Sequence, residues 1–245
     1  MDVETPTTLK SKKSRIISKV LSPAVQLWLR SQVEQVETLH FKITGGDRQI
    51  LSGHIPTVSI TANRAVYKGL HLSQLELEGT DIRVNLSQVI KGKPLRLLEP
   101  IPVGGQMVIL ASDLAASLQA PILSNAVAEF LSTLLKSNGI TNLADDLKDR
   151  QINWQKVDIE EGKLTVFGTL TDALLQTTPV VIRAGLQLAS PQVLMLNPLQ
   201  VQLSPTSEPL ILDNFQVDLG SEVNLQELAL TSGQLICRGR LNVLP

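Results

Sequence analysis

Residues 51–90 read LSGHIPTVSITANRAVYKGLHLSQLELEGTDIRVNLSQVI. Apolar and polar residues alternate in short runs, and each run stops at a glycine or an asparagine before the next begins. Alternation with a period of two is typical of strands that have one dry face and one wet face, and it favours antiparallel pairing. The stretch therefore predicts a meander of three or four antiparallel strands, and it contains no obvious catalytic group.

The segment before this meander, residues 15–39, has a helical pattern. Ser22 and Pro23 form an N-cap signal, with proline at the first helical position. Behind them, apolar residues recur every three or four positions and form one stripe: Val25, Trp28, Leu29, Val33 and Val36. The pattern predicts a long N-terminal helix that leads into the first strand.

Beyond the meander, the pattern changes twice. A strand over residues 106–111 is followed by a helical pattern, predicted as the segments 112–118, 121–139 and 142–148. From Gln151 to the C-terminus the alternation of strands returns. The order helix, strands, helices, strands indicates an α+β fold rather than alternating βαβ units.

A weak internal repeat relates two of the late strands. Residues 162–170, GKLTVFGTL, and residues 233–241, GQLICRGRL, share the form G-[KQ]-L-x-x-x-G-x-L. One interpretation is a common hairpin pattern, in which a glycine turns the chain and alternate apolar residues face the core. The other is a duplicated strand unit in a curved sheet, where glycines permit coiling.

Composition narrows the classes of function. A chain of 245 residues with 43% hydrophobic residues can bury a sizeable core. A formal net charge of −1 argues against a nucleic-acid binder, and 3% aromatic residues leave little material for base stacking.

Cys237 is the single cysteine, so neither an internal disulfide nor a cysteine-rich zinc site can form. No apolar run reaches the roughly 18 residues of a membrane span, and Ser18 and Lys19 interrupt the apolar run of a would-be signal peptide.

A search for reactive residues gives no persuasive site. The sequence lacks the signatures of a phosphate loop, a serine-hydrolase elbow, a zinc protease and a dinucleotide-binding fold. His40, His54 and His71 have no compact ligand spacing, and solvated strand histidines explain them better than a metal site does. Cys237 shares an alternating face with Leu241 and is predicted to be an inert buried thiol. We therefore assign no catalytic, cofactor-binding or metal-binding residue.

The N-terminal residues combine basic and apolar side chains. Lys12, Lys13, Arg15 and Lys19 surround an apolar pair, and such a segment suits an anionic membrane surface. At about 1 kcal/mol per basic residue near the surface, the attachment would be reversible. These four residues are the predicted membrane contact. The alternative is a solvated basic tail that leads into a core helix, and the sequence favours neither.

Several pieces of the sequence together resemble the LmeA-type phospholipid-binding family. The pieces are hydrophobic patterns with glycines: Ser52–Ala62, Gly69–Gly79, Asp81–Leu86, Gly105–Val108 with Asp113-Leu114, and Gly233–Pro245. The resemblance implies a fold of the tubular lipid-binding type, with a long helix packed in a strongly curved antiparallel sheet. It also implies a phospholipid held between them and no catalytic residues. Because we expect no signal peptide and no membrane anchor here, unlike in exported members, the resemblance does not extend the prediction to a periplasmic location.

These patterns predict a disordered basic tail over residues 1–14 and a single α+β domain over residues 15–245. The predicted function is non-enzymatic binding of a phospholipid or another acyl lipid. We expect no cofactor and no nucleic acid, and a cytoplasmic location peripheral to a membrane. The alternative is a structural or assembly module that presents the same apolar surface to a protein partner, and a lipid hydrolase is the third. Alternation alone does not distinguish a lipid cavity from a solid core.

Overall fold

The computed structural model describes residues 20–139, 151–171, 176–204 and 208–245. Within these residues, twelve strands form two antiparallel sheets, accompanied by five helices. The architecture is mostly antiparallel sheet with a few helices, which confirms the α+β class. The predicted helix over 142–148 and the predicted tail over 1–14 lie outside the described residues.

The helices and strands follow one another along the chain with these bounds. They are α1 (Ser22–Gln32), β1 (Gln35–Thr44), α2 (Asp47–Leu51), β2 (His54–Tyr67), β3 (Leu70–Arg83), α3 (Leu86–Val89), β4 (Ile101–Leu110), α4 (Ala111–Ser117), α5 (Pro121–Ser137), β5 (Gln151–Glu160), β6 (Lys163–Thr171), β7 (Thr177–Ser190), β8 (Val193–Gln202), β9 (Leu210–Leu212), β10 (Phe215–Asp218), β11 (Val223–Thr231) and β12 (Gln234–Val243).

Each sheet is built mainly from neighbours in sequence, with one long return. The first sheet has the order β1-β2-β3-β4-β12-β11, and the second has the order β10-β8-β7-β6-β5, with β9 also paired to β8. The two C-terminal strands come back to pair with β4, so the end of the chain completes the sheet that its beginning started.

The opening stretch forms two long strands rather than the three or four predicted. β2 and β3 have 14 residues each. They are joined by a two-residue turn in which Lys68 and Gly69 have φ values of 50° and 77°, as a hairpin with matching twist requires. Gly79, which the pattern predicts as a strand end, pairs with Val58 and Val103 inside the sheet. The prediction of a strand end at this glycine is therefore wrong.

The long N-terminal helix predicted over 15–39 is not observed. α1 has 11 residues, Val33 is already extended, and β1 begins at Gln35. Val36 fits the helical stripe in sequence, but it pairs with Ala65 of β2. β-branched residues fit a pleated surface well, and tertiary pairing overrides a weak helical pattern. Among the described residues, the longest helix is α5, with 17 residues.

The buried apolar side chains form two separate cores. The first core lies under α1, α2 and α3 at one end of the first sheet, and Leu21, Ile50 and Leu86 are almost fully buried in it. The second core joins α5 to the second sheet, with Leu134 and Trp154 at its centre. Burial of such side chains is the main stabilising term for each half of the molecule.

The repeated glycine motif occurs in two equivalent hairpins, one in each sheet. Gly162 precedes β6 with φ of 68°, and Gly233 precedes β12 with φ of 80°. The two turns bind each other reciprocally: the Gly162 N–H donates to Leu230 O over 3.0 Å, and the Gly233 N–H donates to Ile159 O over 2.8 Å. Both glycines therefore turn hairpins, as the first interpretation expects, and the reciprocal contact gives the two sheets a symmetric junction, which is also compatible with a duplicated strand unit.

Candidate functional site

Three rows of apolar residues cross the first sheet from one edge to the other. The pairing aligns residues that share one face on all six strands. The rows, written from β1 to β11, are Ile43-Val58-Gly79-Val103-Leu241-Val223, Phe41-Ile60-Leu77-Gly105-Gly239-Leu225 and Leu39-Ala62-Leu75-Met107-Cys237-Leu228. Every position in these rows is apolar or glycine, so one face of the sheet is continuously apolar.

Part of this face belongs to neither core. Ile43, Val58 and Val103 of the first row pack into the first core, whereas Leu241 and Val223 at its far end belong to neither core. Leu230 and Leu235, one step beyond the third row, join the second core. Between them lie six half-buried side chains that neither core includes, within the described residues. We call this group the apolar belt: Leu39, Leu75, Met107, Leu225, Leu228 and Cys237. The belt is partly open to solvent although both of its flanks are covered.

Two glycines sit side by side next to the belt. Gly105 pairs with Leu77 and with Gly239. A Cβ atom on Gly105 would overlap the carbonyl oxygen of Glu76, and one on Gly239 would lie 2.6 Å from the carbonyl oxygen of Asn224. The backbones here approach more closely than any side chain permits. Leu77 and Leu225 lie over the two glycines, so the face stays apolar across this junction.

The only titratable side chain in the belt is a thiol. Cys237 is half-buried between Met107 and Leu228, its neighbours in the pairing. Burial raises the pKa of the Cys237 thiol above its ordinary value. A thiol with a raised pKa is a poor nucleophile at neutral pH. The prediction of a buried cysteine therefore holds in a weaker form, because the side chain is covered only in part.

The opposite face of the same strands is polar and has a groove of about 710 Å³. The side chains that line it alternate with those of the apolar rows, and they include Glu76, Glu78, Gln106, Arg238 and Arg240. Arg238 donates a hydrogen bond to Gln106 Oε1 over 2.9 Å, and its other terminal nitrogen lies 3.5 Å from a Glu227 carboxylate oxygen. The sheet separates this groove from the apolar belt, so the two are different surfaces.

The four residues predicted to contact a membrane are not among those that the structure describes. They are Lys12, Lys13, Arg15 and Lys19.

In the described part of the chain, no three His, Cys, Asp or Glu side chains are arranged to hold a metal ion. Among the same residues, no single helix is long and apolar enough to cross a membrane. The bent pair α4 and α5 passes that test only by length and composition, with an angle of 84° between them.

Sequence reasoning found the apolar face but missed the belt. The alternation of Leu75 and Leu77 is visible in the sequence and predicts that they share a face, whereas Met107 joins that face only through the pairing of β3 with β4. The alternation does not indicate which members of the face the cores leave uncovered, because that depends on where the helices pack. The signal nearest to the belt was Gly239, a glycine between two arginines inside the repeated strand motif of residues 233–241.

Comparison with known proteins gives one match. The sequence model of the family described as LmeA-like phospholipid-binding matches residues 12–240. No curated protein and no solved structure matches the chain.

Proposed function

Because the chain belongs to the LmeA-like phospholipid-binding family, we propose that it binds a phospholipid with an acyl chain laid along the apolar belt. The protein would act without catalysis, by carrying or sensing the lipid at a membrane surface. The observation that carries this proposal is the continuous apolar face whose middle part, the belt, stays half-open between two packed cores.

The dimensions of the face fit an acyl chain. Neighbouring strands lie about 4.8 Å apart, so a row that crosses six strands is about 24 Å long. An acyl chain in one leaflet spans about 15 Å, half of a bilayer core. The rows are therefore long enough to cover a whole chain. The aliphatic and thioether side chains of the belt suit a flexible ligand, since Met adapts its shape to irregular partners.

The energetics favour exchange over permanent retention. Burial from water contributes about 0.8 kcal/mol for each methylene group. A lipid that leaves a bilayer gives up surroundings that are equally apolar, so little net affinity comes from its tail. We therefore expect the lipid to move in and out of the belt when the protein is at a membrane, which fits carriage or sensing.

The belt offers little for catalysis. Its side chains are aliphatic or thioether except for Cys237, and the raised pKa of that thiol leaves little thiolate at neutral pH. An ester bond placed there would meet no general base among the belt residues. This supports binding without turnover as the proposed activity.

The test is native mass spectrometry of the purified protein, followed by organic extraction. We expect a bound phospholipid mass, and the extract identifies its class. Leu75→Trp should displace the lipid, because Leu75 lies in the centre of the belt. The matched control is Gln74→Trp, which places the same side chain on the exposed opposite face of the same strand.

Three outcomes would contradict the proposal. They are a lipid-free mass that persists after incubation with a lipid extract, equal loading of the two tryptophan variants, or turnover of a lipid ester. A stable protein complex that forms regardless of lipid would instead favour the assembly-module alternative, in which the belt is covered by a partner.

A further inference from the structure

A second surface lies at the end of the first sheet where β2 begins and β3 ends. There α2 and the segment 83–98, which contains α3, close the first core. The Val84 N–H donates to Gly53 O over 2.8 Å, and Ile50 of α2 and Leu86 of α3 are both buried in the same core. α2 and the segment 83–98 therefore form one continuous surface.

The segment 83–98 is held in a defined shape. Val84 bridges to Leu97, and the Leu98 N–H donates to Arg83 O over 2.9 Å. The buried Asn85 ties the segment together, because its Oδ1 accepts from the Arg96 N–H over 2.8 Å and its Nδ2 donates to Pro94 O over 3.0 Å. An ordered segment keeps its outward side chains in fixed positions, which reduces the entropy lost on binding.

Three large apolar side chains project outward from this surface. Leu51 of α2 is 54% exposed, and Ile90 and Leu98 are 57% and 58% exposed. Leu51 belongs to α2, and Ile90 and Leu98 belong to the segment 83–98, so all three lie at one end of the sheet. Apolar side chains clustered in this way on a surface mark an interaction site more often than single ones do.

Basic side chains surround the three apolar ones. The segment 83–98 has four basic residues, Arg83, Lys91, Lys93 and Arg96, and no acidic residue. Arg48 of α2 adds a fifth, and all five are exposed. None of them forms an ion pair with a carboxylate in the described part of the chain.

A few acidic residues lie at the margin of this surface. Asp47 and Glu99 are exposed, and Asp81 contacts His54 over 2.5 Å. They are fewer than the basic residues, so the surface keeps a net positive charge. We call it the basic end: Arg48, Leu51, Arg83, Ile90, Lys91, Lys93, Arg96 and Leu98.

We propose that the basic end docks on an anionic membrane surface, with Leu51, Ile90 and Leu98 inserted among the lipids and the basic residues at the headgroups. Long basic side chains with apolar neighbours are the combination that binds this interface. A nucleic acid would be attracted by the charges, but it offers no apolar layer for three exposed aliphatic side chains.

The position of Leu21 places α1 at the same end of the molecule. Leu21, almost the first described residue, is fully buried in the first core beside Ile50 and Leu86. The chain therefore joins the fold at this end.

The proposal rests on the proposed function only in that a lipid carrier must reach a bilayer, and it is tested separately. Co-sedimentation is measured with vesicles of phosphatidylcholine alone and of phosphatidylcholine with phosphatidylglycerol. We expect the unaltered protein to bind the anionic vesicles and to be released by salt. Each basic residue near an anionic surface changes partitioning about fivefold, so the double variant Lys91→Glu/Lys93→Glu should bind at least about tenfold more weakly.

Matched controls separate this surface from general effects. Lys42→Glu/Lys163→Glu makes the same charge change at exposed positions elsewhere on the two sheets and should bind more tightly than the Lys91/Lys93 variant. Ile90→Ser should also weaken binding, by about tenfold, whereas Ile211→Ser should not. Ile211 is 53% exposed on β9 and so matches Ile90 in exposure.

The outcomes distinguish the two proposals. Vesicle binding that fails in the unaltered protein, or that is equal in the basic-end variants and their controls, overturns the docking surface. Binding lost with Lys91→Glu/Lys93→Glu but retained with Ile90→Ser also overturns it, because insertion is part of the proposal. Native mass spectra of the same variants show whether lipid remains on the belt. A lipid-free protein that still binds vesicles at the basic end would remove the belt proposal alone.

Discussion

At the scale of single residues, Gly105 and Gly104 make a matched pair on opposite faces of β4. A Cβ at Gly105 would overlap the Glu76 carbonyl oxygen, whereas one at Gly104 would meet nothing closer than Arg240 Cγ, at 3.6 Å. We expect Gly105→Ala to lower the free energy of unfolding by about 1–3 kcal/mol, because the strands must move apart. Gly104→Ala should be neutral or stabilising by up to about 1 kcal/mol, because it restricts the unfolded chain.

Denaturant unfolding of the two alanine variants measures this difference. Equal stability would mean that β3 and β4 separate at no cost, and that the close approach next to the belt is not required for the fold. The alternation predicts a strand over residues 106–111, after Gly105, whereas β4 spans Ile101–Leu110 and contains this glycine. The partner strand β12 does not follow from the sequence, because pairing between β4 and β12 joins residues that are far apart along the chain.

Cys237 provides a second prediction at this scale. Burial raises the pKa of its thiol, so the thiolate forms at higher pH in the folded protein than in the unfolded chain. The rate of alkylation should therefore rise with pH along a curve displaced to higher pH relative to the same protein in denaturant. A bound lipid should slow the reaction further at every pH, because it covers the belt. Identical pH curves for the folded and unfolded chains would contradict the burial of this thiol.

At the scale of elements, the start of α1 sets how much of the N-terminus can be removed. Residues 1–19 precede the fully buried Leu21, which anchors α1 in the first core. Deleting 1–19 should keep the melting temperature and weaken binding to anionic vesicles, because basic residues are lost. Deleting 1–21 should also lower stability by about 1.5–3 kcal/mol, the contribution of one buried leucine.

Thermal unfolding and vesicle co-sedimentation of the two truncated proteins separate these effects. A fall of several degrees in the shorter deletion would mean that the N-terminal residues pack on the fold. Unchanged vesicle binding in that deletion would remove Lys12, Lys13, Arg15 and Lys19 as membrane contacts.

Elements were predicted well where local chemistry alone decides them, and poorly where pairing decides them. The start of α5 follows from Pro121, and the observed helix begins there. In α1, Pro23 lies at the helix start as predicted, but Ser22 is not the N-cap, because Leu21 holds that position in a helical conformation and with no side-chain cap. The end of α1 does not follow, because Val33 and Val36 suit either a helical stripe or a strand, and β2 offers a partner for the strand. In the same way, Gly79 looks like a turn until β2 and β4 pair on both sides of it.

At the scale of the whole molecule, the fold is two cores joined by shared hairpin turns, with the belt between them. The reciprocal hydrogen bonds of Gly162 and Gly233 link the sheets at the repeated motif. Sequence alone showed the repeat and the apolar face. It did not show that the chain divides its apolar residues between two cores, because this follows from which helix covers which part of each sheet.

Each core contains one of the two tryptophans, so each can be followed separately. Trp28 packs against the first core, and Trp154 is buried in the second. A lipid on the belt touches side chains that adjoin both cores. Binding should therefore raise the unfolding midpoints reported by both tryptophans, measured in the variants Trp28→Phe and Trp154→Phe, each of which retains one reporter.

The expected size of that effect follows from mass action. At a free lipid concentration of about one hundred times Kd, a ligand that binds only the folded state adds about 2.7 kcal/mol to the free energy of unfolding. In these single-tryptophan backgrounds Leu75→Phe is used in place of Leu75→Trp, so that no second tryptophan is added. It should reduce the shift for both reporters. A shift seen by one tryptophan alone would place the lipid in one core. A ligand that lies between the two cores must shift the unfolding midpoints reported by both tryptophans, and the change at Leu75 must reduce both shifts. The reason is that the ligand is released whenever either core unfolds.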